Sequence, residues 1–130
     1  MKKNEKMIAS KKNLALALKK LEEFVASPIE DQRDEAGIIQ AFEYSFELFW
    51  KTSQKTAENE GLAVASPKQA LKVGLQLGIL KMEEEEKWLQ MLEDRNLTSH
   101  TYREEVAKAV LSRIISTHLP LLKAAFSRIK

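Results

Sequence analysis

Arg95, His100 and Tyr102 stand in one short stretch, Arg95-Asn96-Leu97-Thr98-Ser99-His100-Thr101-Tyr102. A guanidinium can grip a phosphate bidentately and stabilise charge that develops on it, and an imidazole moves protons near neutral pH. Together they are equipment for phosphodiester chemistry. In an uninterrupted helix positions five apart point about 140° away from each other, so Arg95 and His100 converge only where the chain turns. Thr98 and Ser99 are suited to that turn, because their hydroxyls compete for backbone hydrogen bonds. His100 is then expected at or just before the N-terminus of the next helix, where the positive dipole end favours neutral imidazole, a candidate general base. A blander reading stays open beside this one. Arg95 closes an apolar face formed by Trp88, Met91 and Leu92, and a charge there must snorkel, bind an anion or pair with a carboxylate, including one on a facing helix.

These residues must be held by helices. Gly and Pro are scarce, Ala, Leu, Glu and Lys abundant, and apolar residues recur at spacings of three and four. The first helix is expected over about residues 3 to 26, with Met7, Leu14, Ala17, Leu18, Leu21 and Val25 on one face, and Ser27-Pro28 ending it. A polar link from Glu30 to Asp34 leads into a long second helix reaching about Asn59. Its core stripe is Ile38, Ile39, Phe42, Phe46 and Phe49, with Trp50 at the edge and Tyr44 and Leu48 forming a second apolar patch. Ser66-Pro67-Lys68-Gln69 supplies an N-cap, a proline at the first helical position and the Gln of a capping box. Gly78 between Leu77 and Ile79 suits a left-handed C-terminal cap. A fourth helix is expected from Glu83 to Asn96. A fifth starts near Thr101 or Tyr102, where Thr101 and Glu104 can form a capping box, and runs to about Ile129 with a kink at Pro120. His118 lies on its apolar side with no titratable companion at motif spacing, which points to a structural role. The whole reads as an all-α, antiparallel four-helix-type bundle of about five helices in a single domain over residues 1–130.

Composition narrows the chemistry. The chain has 130 residues, 21 Lys and Arg against 19 Asp and Glu, and a formal charge of +2, far from the basic surface of a protein that grips duplex nucleic acid through many phosphates. Any nucleic-acid contact is therefore local. With no Cys, thiolate sites and disulfides are excluded, and two His without a cluster argue against a protein-built transition-metal site, so no metal and no cofactor is expected. Leu14 to Leu18 is too short for a leader or a membrane span, and the expected setting is the cytoplasm, away from membranes.

The spacing of Arg95, His100 and Tyr102 resembles the R-x4-H-x-Y signature of HEPN domains, and the polar Asn96 after the arginine fits as a supporting residue. Phe42-Glu43-Tyr44-Ser45-Phe46-Glu47-Leu48-Phe49-Trp50-Lys51, Ser66-Pro67-Lys68-Gln69-Ala70-Leu71 and Trp88-Leu89-Gln90-Met91-Leu92-Glu93-Asp94-Arg95-Asn96 are similar to the nucleotidyltransferase substrate-binding, HepT-like subgroup, over most of the chain. The resemblance implies a homodimer with two sites near its symmetry axis, working as partner of a minimal nucleotidyltransferase in a toxin-antitoxin-like pair. It implies a metal-independent ribonuclease in which His100 handles protons and Arg95 holds the scissile phosphate of RNA, silenced by adenylylation of Tyr102. The alternative within the same resemblance is a non-catalytic adaptor that presents substrate or nucleotide to the transferase.

Overall fold

The computed structural model describes the backbone of residues 2–129 and the side chains of residues 5–129. Helix α1 (Lys2–Ala26) buries Leu14, Ala17, Leu18 and Leu21, with Val25 packed at the edge of the same core. The Ser27 hydroxyl closes it by donating to the Glu23 carbonyl at 3.0 Å, and Pro28 prevents continuation. Asp31 then caps α2 (Gln32–Asn59), accepting the Asp34 N–H at 3.0 Å. Ile38, Ile39, Phe42, Phe46 and Phe49 all point inward from α2, and burying each such side chain contributes roughly 1.5–3 kcal/mol. Leu48 packs against this core rather than forming an outer patch with Tyr44, which is exposed. The long α1–α2 hairpin is pinned at its open end by a buried hydroxyl pair, Ser10 Oγ to Thr52 Oγ1 at 2.6 Å.

Ser66, Pro67 and Gln69 act as expected at the start of α3 (Pro67–Gln76): Ser66 accepts the Gln69 N–H at 3.2 Å and Gln69 Oε1 accepts the Ala65 N–H at 2.8 Å. Gly78 has φ of +76°, the left-handed conformation that lets the Ile79 and Leu80 N–H groups turn back onto the Gly74 carbonyl at 2.9 and 3.1 Å. A single 3₁₀ turn, Met82–Glu84, precedes α4 (Glu85–Leu97), so the regular helix begins slightly later than Glu83.

The junction after α4 differs most from the sequence reading. The helical path runs on through a 3₁₀ turn, Thr98–His100, and α5 (Glu104–Arg113) starts at Glu104 rather than at Thr101 or Tyr102. Thr101 makes no capping box with Glu104; its hydroxyl donates back to the Thr98 carbonyl at 3.1 Å, and Arg103 occupies the N-cap position without a side-chain cap. From α5 the chain passes through a π turn, Ile114–His118, into α6 (Leu119–Arg128). The disturbance expected at Pro120 takes this form: proline has no N–H to offer, and one residue earlier the Leu119 N–H reaches back to the Ile114 carbonyl, five residues away. Helices α1, α2, α4 and the α5–α6 rod form the bundle walls, with α3 packed on α2. Among the described residues no helix is long and apolar enough to cross a membrane.

Candidate active site at the α4 to α5 junction

The buried face of α4 carries Trp88, Met91 and Asp94. The apolar stripe thus ends in a carboxylate, not in the arginine. Asp94 is wholly buried, and its oxygens receive Arg113 Nε and Nη2, both at 2.7 Å, Gln90 Nε2 at 3.1 Å and the His118 Nε2 edge at 2.7 Å. Burial alone would raise the Asp94 pKa, but the hydrogen bonds from His118 and Arg113 and the guanidinium charge outweigh it and hold the carboxyl below its ordinary range. His118 is equally buried and stacks on Phe42, ring centroids 5.3 Å apart and planes 22° from parallel. It has a titratable companion after all, supplied across the bundle. Sequence reasoning missed this trio because its members come from separate turns, 19 and 24 residues from Asp94; the local signal was a carboxylate in register with Trp88 and Met91.

Arg95, one position on, lies half-buried at the α2 edge. Its Nη2 donates to Glu47 Oε2 at 3.2 Å, the facing-helix carboxylate that the blander reading allowed. Glu47 also accepts Trp50 Nε1 at 3.1 Å and sits 3.5 Å from Lys51 Nζ. Burial pushes Glu47 up, yet the Trp50 hydrogen bond and the Arg95 and Lys51 charges bring it net below the usual Glu value. Arg95 Nε is buried with no hydrogen-bond partner among the described residues, so the guanidinium is not saturated. Beside it the Thr98 hydroxyl lies 2.6 Å from the Arg95 carbonyl and 2.8 Å from Glu43 Oε2. Two α2 carboxylates, Glu43 and Glu47, thereby fix where α4 ends.

His100 and Tyr102 stand clear of the bundle. Both are exposed, Tyr102 to 81%, and their rings are 6.3 Å apart at 59°. His100 closes the helical path of α4 instead of opening α5, so the N-terminal dipole expected to bear on its imidazole is not at that position. Asn96 is exposed on the same run. No group of three or more His, Asp or Glu side chains among the described residues is disposed to hold a metal ion. The junction therefore presents a half-buried guanidinium, an exposed imidazole and an exposed phenol within a few residues of each other.

Comparison with known proteins adds to this geometry. Residues 10–130 match the family described as nucleotidyltransferase substrate binding protein like. The chain belongs to that family, the HepT-like group of HEPN proteins. A probable ribonuclease HepT from Haemophilus influenzae is 32% identical over 84 residues, which cover 61% of this chain and 56% of that protein. The chain thus matches little more than half of the length of this relative. A crystal structure of a protein from Thermus thermophilus is similar with a TM-score of 0.82 and 36% identity, over 90% of this chain and 98% of that one. The helical bundle is therefore shared along almost the full length of both.

Proposed function

We propose that this HepT-like chain works as the HEPN-type partner of a minimal nucleotidyltransferase, and that its α4 to α5 junction cleaves RNA without a metal ion in a symmetric dimer. The observation that carries this reading is the presentation of His100 and Tyr102 side by side in solvent, on a turn whose root, Arg95 to Thr98, is bound to α2 through Glu47 and Glu43. In the reaction His100 takes the proton of a ribose 2′-hydroxyl as its oxygen attacks the adjacent phosphorus. The P–O2′ bond forms, the P–O5′ bond breaks, and the leaving 5′ oxygen takes a proton from an acid. A 2′,3′-cyclic phosphate and a 5′-hydroxyl result. Arg95 meets the negative charge that builds on the phosphoryl oxygens, exchanging Glu47 for phosphate. Each chain has one His at this site, so His100 of a second copy supplies the acid, which makes an isologous dimer part of the mechanism. Adenylylation of Tyr102 by the transferase would place a bulky anion beside His100 and exclude RNA.

The Glu47–Arg95 pair also supports a second reading. A guanidinium already partly neutralised suits an adaptor that presents nucleotide or substrate to the transferase and cuts nothing. Incubating RNA with purified protein in chelator, beside Arg95→Ala and His100→Ala variants, separates the two. The nuclease reading expects cleavage by the wild type and at least hundredfold loss in either variant, in line with the usual weight of general acid–base groups, about 10²–10⁴. Equal residual cleavage by all three proteins would refute it and leave the adaptor.

A further inference from the structure

The Asp94, Arg113 and His118 trio lies outside the exposed junction, and its construction is unusual. In a regular helix Arg113 and His118, five residues apart, would point about 140° away from each other. They nevertheless meet on one carboxylate, with distances of 2.7 Å from each. The π turn Ile114–His118 makes this possible, because an i to i+5 ladder brings residues five apart nearly into line. The turn departs from regular helix geometry at the place where two donors must reach the same acceptor. Arg113 and the His118 Nε2 edge together hold Asp94 ionised. His118 Nδ1 is buried with no partner among the described residues, and the ring stacks on Phe42.

The consequence falls on Arg95. Asp94 is anchored on one side of α4 by the α5–α6 rod, and Arg95, its immediate neighbour, is anchored on the other side by Glu47 of α2. The last turn of α4 is gripped from two directions, and its rotation sets where the Arg95 guanidinium lies. We propose that Asp94, Arg113 and His118 are positioning residues: through the π turn they lock the rotation of the α4 C-terminus and so aim Arg95 at the junction. This rests on the reading of the junction as the functional site, and it assigns these three side chains no contact with substrate.

The test compares His118→Leu, which removes the donor, with His118→Gln, which keeps one, and uses Arg113→Gln as a second disruption at a position 36% exposed. Carbon-13 NMR of the carboxyl groups follows Glu47, the partner of Arg95, and Glu84 at the far end of α4, where burial pushes the carboxyl up but Arg128 and the Lys81 N–H hold it net below its ordinary range. In His118→Leu and Arg113→Gln the Glu47 midpoint should rise toward the ordinary Glu value while Glu84 stays put, and His118→Gln should restore Glu47. Glu47 unchanged in both disrupting variants overturns the proposal, as does movement of Glu47 and Glu84 together in both, which would mark general loosening. On RNA, His118→Leu should lower kcat about tenfold to hundredfold with KM nearly unchanged, the scale expected of a small misplacement of a reacting group. If wild-type protein cuts no RNA, the nuclease reading fails, while the Glu47 titration still decides the positioning role.

Discussion

Asp94→Asn is the substitution whose cost follows most directly from the structure. It is nearly isosteric, so no cavity term enters, and it removes one charge from a side chain with no exposed surface. Taking one partner from a buried ion pair typically costs about 3–5 kcal/mol. The Arg113 side chain, however, is 36% exposed and regains water once the carboxylate is gone, so its share shrinks toward the surface-pair value of about 0–1 kcal/mol. His118 has no such escape. It is buried, and turning an amide N–H2 toward its Nε2 leaves a donor or acceptor unmatched, at roughly 1–3 kcal/mol. The sum is a loss of about 1–4 kcal/mol, against less than about 0.5 kcal/mol for Glu104→Gln, whose pair with Lys108 is about 60% exposed on both sides. Urea unfolding followed by tryptophan fluorescence, with Trp88 in the core beside this helix turn, measures both. A loss below about 1 kcal/mol at an unchanged denaturant slope would refute the reasoning, because the trio would then contribute no more than an exposed pair.

The acid dependence follows from the same carboxyls. Asp94, Glu47 and Glu84 all have lowered folded-state pKa values, so their stabilisation is complete above the ordinary values of about 3.9 for Asp and 4.3 for Glu and is lost as pH falls through the lower folded ones. The contribution of these carboxyls to the unfolding free energy should be constant above about pH 5 and drop below about pH 4, with a shallower acid drop in Asp94→Asn; identical acid slopes in the two proteins would contradict the assignment. Gly78→Ala forces a side chain into φ of +76°, and a loss of about 1–2 kcal/mol is expected from left-handed strain alone. A smaller loss at Gly78 than at Gly37, which keeps ordinary backbone angles, would count against it. Tyr102→Phe should leave the unfolding free energy within about 0.5 kcal/mol of wild type, since the ring is almost fully solvated; a larger loss would mean that the hydroxyl is held by the fold.

What the sequence made legible was local. Ser27-Pro28, Ser66-Pro67-Gln69 and Gly78 each act through bonds within a few residues of themselves, and α1 ends and α3 starts and ends where those signals place the breaks. The spacing of Phe42, Phe46 and Phe49 likewise reports a face directly. Thr101 misled because a threonine hydroxyl can serve the turn behind it as well as the helix ahead, and here it bonds back to Thr98. The Asp94 trio and the Glu47–Arg95 pair were not legible, since each joins separate helices and their register depends on how the bundle closes. The π turn belongs with them: Pro120 signals a disturbance, but the contact of Arg113 and His118 with Asp94 that the turn Ile114 to His118 allows is made across the bundle.

The central claim is that His100 does chemistry at the junction. End analysis of RNA after incubation in chelator, for wild type and His100→Ala at equal concentration, tests it most directly. Wild type should give 2′,3′-cyclic phosphate and 5′-hydroxyl ends, and the variant almost none. Intact RNA with the wild type, or the same ends at the same rate from both proteins, would contradict it.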